Sequence, residues 1–124
     1  MDSRKLALLC QELADDKKAE DIKVLDMTNV SSITDFFVLV SGTSEPHLRA
    51  ISEEIQTRLK KDHDLVPRAV DGTLPASWIV IDYFDVIVHV MLAEVRERYD
   101  LEGLWGDAPR LAPEERKAAG KTSR

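Results

Sequence analysis

Short apolar runs alternate with polar breaks along the chain, and two of these runs form the centre of the predicted fold. They occupy residues 78–81 and 86–88, are rich in β-branched residues, and are separated by a break that holds Asp82 and Asp85. Two such runs around a tight break predict a β-hairpin. Because both runs are apolar throughout, we expect both faces of the hairpin to be covered, at least partly by helices.

Three segments have the apolar spacing of helices. Residues 3–17 repeat apolar side chains at i, i+3, i+4 and i+7, and residues 45–61 face apolar side chains inward after Ser44, which can cap the helix. Residues 93–104 predict a third helix, which the glycines at 103 and 106 should end.

Three further segments predict strands, namely residues 22–27, 35–40 and 65–70. Pro67 cannot donate to a strand ladder, so the last of these should lie at a sheet edge or a bulge. The order α-β-β-α-β-β-β-α predicts a single-domain α/β protein with a mixed five-stranded sheet flanked by helices.

Length and composition fit one soluble domain. We expect it to span residues 1–108 of the 124, followed by a tail without fixed structure over residues 109–124, where Ala, Pro, Glu, Lys and Gly dominate. No run approaches the roughly 18 apolar residues of a membrane span, and no secretory apolar core is present. The sequence therefore predicts a cytoplasmic protein. Its single cysteine, Cys10, excludes an internal disulfide and is best interpreted as a core residue of the first helix.

The charge is negative and uneven. The chain carries a formal net charge of −6, of which residues 114–124 contribute +2 and the rest −8. An acidic body repels phosphate backbones, so sequence-specific nucleic-acid binding is not expected, and a basic protein partner is favoured. Solubility alone is an equally good explanation of the acidity.

Two groups of residues have the placement, but not the detail, of a nucleotide-transferring site. Residues 42–44 form a small turn between a strand and a helix, but the phosphate-loop lysine is missing. Asp82 and Asp85 are three residues apart across a turn, whereas two metal ligands on one strand need a spacing of two. We expect no metal or other cofactor. The open alternative is a nucleotidyltransferase-like enzyme that uses Gly42, Ser44, both aspartates, magnesium and a nucleotide.

The aromatic and sulfur side chains of the hairpin make a stronger case. Trp78 begins one strand, Tyr83 lies at the turn, and Met91 ends the return strand, nearly opposite Trp78. Exposed together and surrounded by acid, they would form a protein-binding hot spot. Alternatively, all three complete the core. His89 lies in mid-strand without a nucleophile at a recognisable spacing, so a hydrogen-bonded core or sheet-face histidine is favoured.

Four motifs in order carry a resemblance to a known family. They are S-S-I-T-D-F-F-V-L-V-S-G-T-S at residues 31–44, His47, W-I-V-I-D-Y-F-D-V-I-V-H-V-M at residues 78–91, and R-Y-D-L-E-G-L-W at residues 98–105. Together they resemble the Iojap-type ribosomal silencing factors over roughly residues 3–108. One departure is Phe84, where the family usually has glycine in the hairpin turn.

The resemblance implies a nucleotidyltransferase-like fold without the catalytic carboxylates, and a role that is not enzymatic. It implies binding to the large ribosomal subunit through ribosomal protein L-fourteen, steric exclusion of the small subunit, and lower translation when nutrients are scarce. Trp78 is the best-matched interface residue, Met91 and Tyr83 match less tightly, and Asp82 and Asp85 would face basic side chains of the partner. A homodimer through the same surface is a further implication.

Overall fold

The computed structural model describes residues 1–72 and 77–99. In these residues, three helices and five strands follow one another in the predicted order: α1 (Ser3–Asp16), β1 (Glu20–Asp26), β2 (Phe36–Gly42), α2 (Glu45–His63), β3 (Ala69–Asp71), β4 (Trp78–Asp82), β5 (Val86–Leu92) and α3 (Ala93–Tyr99). The predicted α/β class and the order of elements are confirmed.

The strands form one mixed sheet in the order β1-β2-β5-β4-β3. β2 and β5 are parallel, and the other neighbouring strands are antiparallel. β4 and β5 form the predicted hairpin, in which Trp78 pairs with Met91 as expected. β3 begins two residues after Pro67 and lies at the sheet edge, where the proline predicted it.

Both long helices begin at a capping side chain, and Ser44 is the cap expected for α2. The Asp2 carboxylate accepts a hydrogen bond from the Lys5 N–H at 2.8 Å. The Ser44 hydroxyl oxygen accepts from the His47 N–H at 3.2 Å. Each bond satisfies a backbone donor that the first helical turn leaves without an intrahelical partner.

The main core lies between one face of the sheet and the helices α1 and α2, which both contact the central strands. Val38 of β2, Ile81 of β4 and Val88 of β5 share this helix side because alternate strand residues point to the same face, and all three are fully buried. Cys10 of α1 is buried in the same core, where burial raises the pKa of its thiol to about 12. The core-packing interpretation of Cys10 is confirmed.

The opposite face of the sheet, called the outer face below, holds a smaller apolar cluster of Leu25, Met27, Phe37, Leu39 and Met91. Exposure on this face rises toward β4, where Trp78, Val80 and Asp82 are only partly buried. The hairpin is therefore fully covered on its helix side and only partly covered on its outer face. A binding partner can therefore reach the hairpin from its outer face.

The last described helix, α3, packs beside β5 and β2. Its Arg96 is buried and donates to the Ser41 hydroxyl at 3.1 Å. The predicted end of this helix at the glycines 103 and 106, and the predicted tail at residues 109–124, lie outside the described residues. Among the residues that the structure describes, no helix is both long enough and apolar enough to cross a membrane.

Candidate functional site

The indole of Trp78 lies on the outer face and is held in one orientation. Its Nε1–H donates to Nδ1 of His89 across the hairpin at 3.1 Å, and the two ring centroids are 5.9 Å apart at an interplanar angle of 52°. The ring of Phe37 lies edge-on to the ring of His89, and the two ring centroids are 4.9 Å apart. The indole is partly buried and partly exposed. A large aromatic side chain that is fixed in place yet partly exposed has the properties of a binding anchor.

His89 supports this orientation as a neutral acceptor. It is 8% exposed, and burial lowers the pKa of its imidazole to about 4. Because Nδ1 accepts from Trp78, the proton of the neutral ring belongs on Nε2. The structure thus places His89 in the sheet as a hydrogen-bonded side chain, in agreement with the favoured interpretation.

The burial of His89 predicts a pH-dependent stability. Its pKa is about 4 in the folded chain and near 6.5 in the unfolded chain, so the unfolded chain binds more protons between these values and stability falls as the pH falls. The contribution is complete above about pH 6.5, and about 2 kcal/mol of it should be lost by pH 5. Urea unfolding at pH 7.5 and pH 5 measures this loss.

The matched variant for this test is His89→Leu, which removes the titrating group but keeps an apolar side chain on the outer face. Between pH 7.5 and pH 5, we expect the free energy of unfolding of this variant to fall by about 2 kcal/mol less than that of the wild type. His47 and His63 are present in both proteins, so their contributions cancel. Equal pH dependence in the two proteins would show that His89 is not the buried neutral group described here.

Two of the predicted anchors are not exposed. Met91 is fully buried in the outer-face cluster, and Tyr83 is 6% exposed within the helix-side core. Burial and the proximity of Cys10 raise the pKa of the Tyr83 phenol. The expectation of an exposed Trp78, Tyr83 and Met91 cluster is therefore wrong for its last two members. Both occupy positions flanked by strands or helices, and neither can meet a partner without a rearrangement of the fold.

Asp82 is engaged within the chain. One carboxylate oxygen accepts from Arg68 at 2.8 Å, and the other accepts from the backbone N–H of Phe84 at 2.8 Å. Partial burial by itself would raise the pKa of Asp82, but the hydrogen bonds from Arg68 and Phe84, with the charge of Arg68, hold it below its ordinary value. Asp82 therefore satisfies a backbone N–H group of the hairpin turn.

The hairpin tip itself is a tight three-residue turn. The Asp85 N–H donates to the Tyr83 carbonyl at 3.0 Å, and Phe84 between them has φ +76°, which is unusual for a bulky side chain. The Phe84 ring is exposed, and the Arg68 guanidinium lies 3.9 Å from its centroid. The side chain of Asp85 is exposed beside it. The turn therefore presents an aromatic ring and a carboxylate outward together.

Two groups that the nucleotidyltransferase alternative would use are already engaged within the chain. Both oxygens of Asp82 are occupied, and within residues 1–72 and 77–99 no three His, Cys, Asp or Glu side chains come together as a metal site. At the strand-to-helix turn, the Thr43 N–H donates to Nδ1 of His47 at 2.9 Å, while His47 Nε2 donates to the Lys17 carbonyl at 2.7 Å. These two hydrogen bonds connect the end of α1 to the start of α2. The Thr43 N–H, which an anion-binding turn would offer to its ligand, is already bonded to His47.

Sequence reasoning missed one residue of the site, Arg68, and one contact, the hydrogen bond between Trp78 and His89. Arg68 is fourteen residues from Asp82 in the chain, and only the pairing of Ala69 with Asp82 brings the two side chains together. The hydrogen bond between Trp78 and His89 depends likewise on the hairpin register. The sequence places Trp78 and Met91 nearly opposite each other but leaves the exact register open, so it gives no signal for this contact.

Comparisons with known proteins agree with one another. The family model described as "Ribosomal silencing factor during starvation" matches residues 1–124. The ribosomal silencing factor RsfS of Halalkalibacterium halodurans is 38% identical over 109 residues, which are 88% of this chain and 92% of that protein. The mouse protein named "Mitochondrial assembly of ribosomal large subunit protein 1" is 35% identical over 81% of this chain and 42% of its own length.

A solved structure shares the fold. The crystal structure of a protein from Chromobacterium violaceum superimposes with a TM-score of 0.81 and 32% sequence identity. The match covers 86% of this chain and 88% of that one. The similarity therefore extends over most of both chains.

Proposed function

The chain belongs to the ribosomal silencing factor family, which gives it a role in the regulation of the ribosome, and from this premise we propose a specific mode of action. The protein binds the large ribosomal subunit through ribosomal protein L-fourteen and prevents the small subunit from docking. It thereby lowers translation when nutrients are scarce, and it does so in the cytoplasm. The mouse relative, whose name refers to the large ribosomal subunit, supports the choice of subunit.

The fixed, partly exposed indole of Trp78 is the observation that carries this proposal. Interfaces obtain most of their binding energy from a few large aromatic or arginine side chains near their centre. On the outer face, Trp78 is oriented by His89 and packs against the apolar cluster that contains Met91, its partner across the hairpin. This arrangement leaves little side-chain entropy to be lost when a partner covers the indole.

Acidic residues give the partner its expected charge. Asp85 is exposed at the hairpin tip, and the chain as a whole carries a net charge of −6. Such a surface attracts a basic ribosomal protein and speeds its encounter with the chain, while it repels phosphate backbones. Asp82 contributes less attraction than Asp85, because the guanidinium of Arg68 already lies against it.

The proposed mechanism is steric exclusion and requires no chemical reaction. A chain of 14.0 kDa bound beside the face that meets the small subunit occupies volume that the small subunit requires. No bond is made or broken, so the protein is a binding module and not an enzyme. Inhibition then follows the fraction of large subunits that are occupied.

Co-sedimentation tests the binding step directly. The chain is mixed with purified large or small subunits and centrifuged through sucrose, and we expect it to pellet with large subunits only. The measurement is repeated over a range of chain concentrations, because a homodimer through the outer face would compete with the large subunit. Calorimetric titration with a nucleoside triphosphate and magnesium tests the enzyme alternative, and heat of binding there would support it.

A further inference from the structure

Exposed apolar side chains gather at one end of the sheet, outside the surface around Trp78. Ile33 is 72% exposed, Phe84 is 56% exposed and Val30 is 42% exposed. The first and last belong to the loop between β1 and β2, and Phe84 belongs to the hairpin turn between β4 and β5. These three residues are called the tip patch below.

Backbone hydrogen bonds hold the two loops of the tip patch side by side. The carbonyl of Asp85 accepts from the N–H of Asp35 at 2.9 Å and from the N–H of Phe36 at 3.0 Å. Because β2 and β5 are parallel and both start at this end of the sheet, the two loops that precede them lie at the same end. The two loops therefore expose their apolar side chains at the same end of the sheet, and backbone hydrogen bonds fix the loops relative to each other.

Phe84 is presented outward at a conformational cost. A φ of +76° belongs to the left-handed region, which bulky residues rarely occupy. The ring is steadied by Arg68, which lies 3.9 Å from its centroid and is itself fixed by the 2.8 Å ion pair with Asp82. An exposed aromatic ring that is oriented before binding loses little freedom when a partner covers it.

The border of the tip patch is acidic. Asp85 is exposed and Asp35 is half-buried, and neither belongs to an ion pair in the part of the chain that the structure describes. Arg68, the cation at the hairpin turn, is engaged by Asp82 and by the Phe84 ring. Apolar side chains bordered by uncompensated carboxylates complement a protein surface on which lysine or arginine lies next to an apolar side chain, and they repel a phosphate backbone.

We propose that the tip patch, with Asp85, is a second docking surface that contacts a basic protein surface of the large subunit at the same time as the outer face. The two surfaces are continuous, because Asp82 lies on the outer face with Trp78 and holds the Arg68 that covers Phe84. This inference rests on the proposed function. It adds a second contact, which fixes the rotation of the docked chain about its Trp78 anchor.

The test is a double variant, Phe84→Gly with Ile33→Ser, in the full chain. Glycine accepts the positive φ without strain, so we expect a melting temperature equal to that of the wild type or higher. Affinity for purified large subunits should fall by about tenfold in co-sedimentation. Val70→Ser, which removes an exposed valine from the edge strand β3, is the matched control and should bind like the wild type.

The outcomes separate this inference from the proposed function. If the wild type binds and Trp78→Ala weakens binding while the double variant binds normally, the second docking surface is wrong and the proposed function stands. If the wild type does not bind large subunits at all, both are wrong.

A photo-crosslink identifies what the patch touches. Phe84→benzoylphenylalanine in the full chain, bound to large subunits and irradiated, should crosslink to a basic ribosomal protein. A crosslink to ribosomal RNA or to a second copy of the chain, or no crosslink at all, would overturn the inference.

Discussion

Met91→Ala is expected to lower the free energy of unfolding by about 2–5 kcal/mol, the usual cost of truncating a large buried side chain to alanine. Met91 is 0% exposed and packs in the outer-face cluster of the central strand β5. Its backbone neighbours are Ser41 on one side and Trp78 on the other. Alanine leaves a cavity that these strands cannot close without a shift of the sheet. Urea unfolding of the two proteins at pH 7.5 measures the loss.

This result decides between the two interpretations of Met91. Val70→Ala, which truncates a valine that is 44% exposed on the edge strand, is the control and should change stability by about 0.5 kcal/mol or less. An exposed anchor at position 91 would behave like that control and would lose only binding. Unchanged stability of Met91→Ala would therefore contradict the burial described here.

Trp78→Ala should weaken large-subunit binding by about 2 kcal/mol or more, which corresponds to about 30-fold. The physical reason is the loss of a large aromatic surface that is both oriented and partly exposed on the outer face. The variant should remain folded at 25 °C, because the indole is only partly buried. It should nevertheless lose about 1–3 kcal/mol of stability, since Nδ1 of His89 loses its donor. Co-sedimentation and urea unfolding measure the two effects separately.

His89→Leu is the control for this variant. It removes the hydrogen bond that orients the indole and keeps the indole itself, so its binding should fall between that of the wild type and that of Trp78→Ala. If His89→Leu and Trp78→Ala weaken binding equally, the orientation of the outer face matters and the indole surface does not. If Trp78→Ala binds large subunits like the wild type, Trp78 is not the anchor.

The order of elements could be predicted from local signals alone. The cap at Ser44, the periodicity of the two long helices and the hairpin around residues 82–85 each depend on residues close together in the chain. Pro67 placed its strand at the edge for a reason that needs no knowledge of the neighbours. Local chemistry was therefore sufficient for the fold class.

The burial of the hairpin side chains could not be predicted in the same way. Met91 is buried because β2, which is distant in sequence, lies parallel to β5 and flanks it on the side away from β4. Tyr83 is a different case, because the alternation from Ile79 through Ile81 already pointed it to the helix side. Interpreting position 83 as an exposed turn residue neglected that period.

The tip patch was also beyond sequence reasoning. Ile33 and Phe84 are about fifty positions apart in the chain, and hydrogen bonds to the Asp85 carbonyl bring their loops together. The positive φ of Phe84 is a property of the folded turn. A sequence pattern favours glycine at such a position and gives no reason for an aromatic ring there.

Subunit joining is the most direct test of the account. Purified large subunits are incubated with the chain, small subunits are added, and the joined ribosomes are separated on a sucrose gradient at a fixed magnesium concentration. We expect the joined fraction to fall in proportion to large-subunit occupancy, and Trp78→Ala to require about 30-fold more protein for the same effect. Full joining at chain concentrations that saturate the large subunits would contradict steric exclusion.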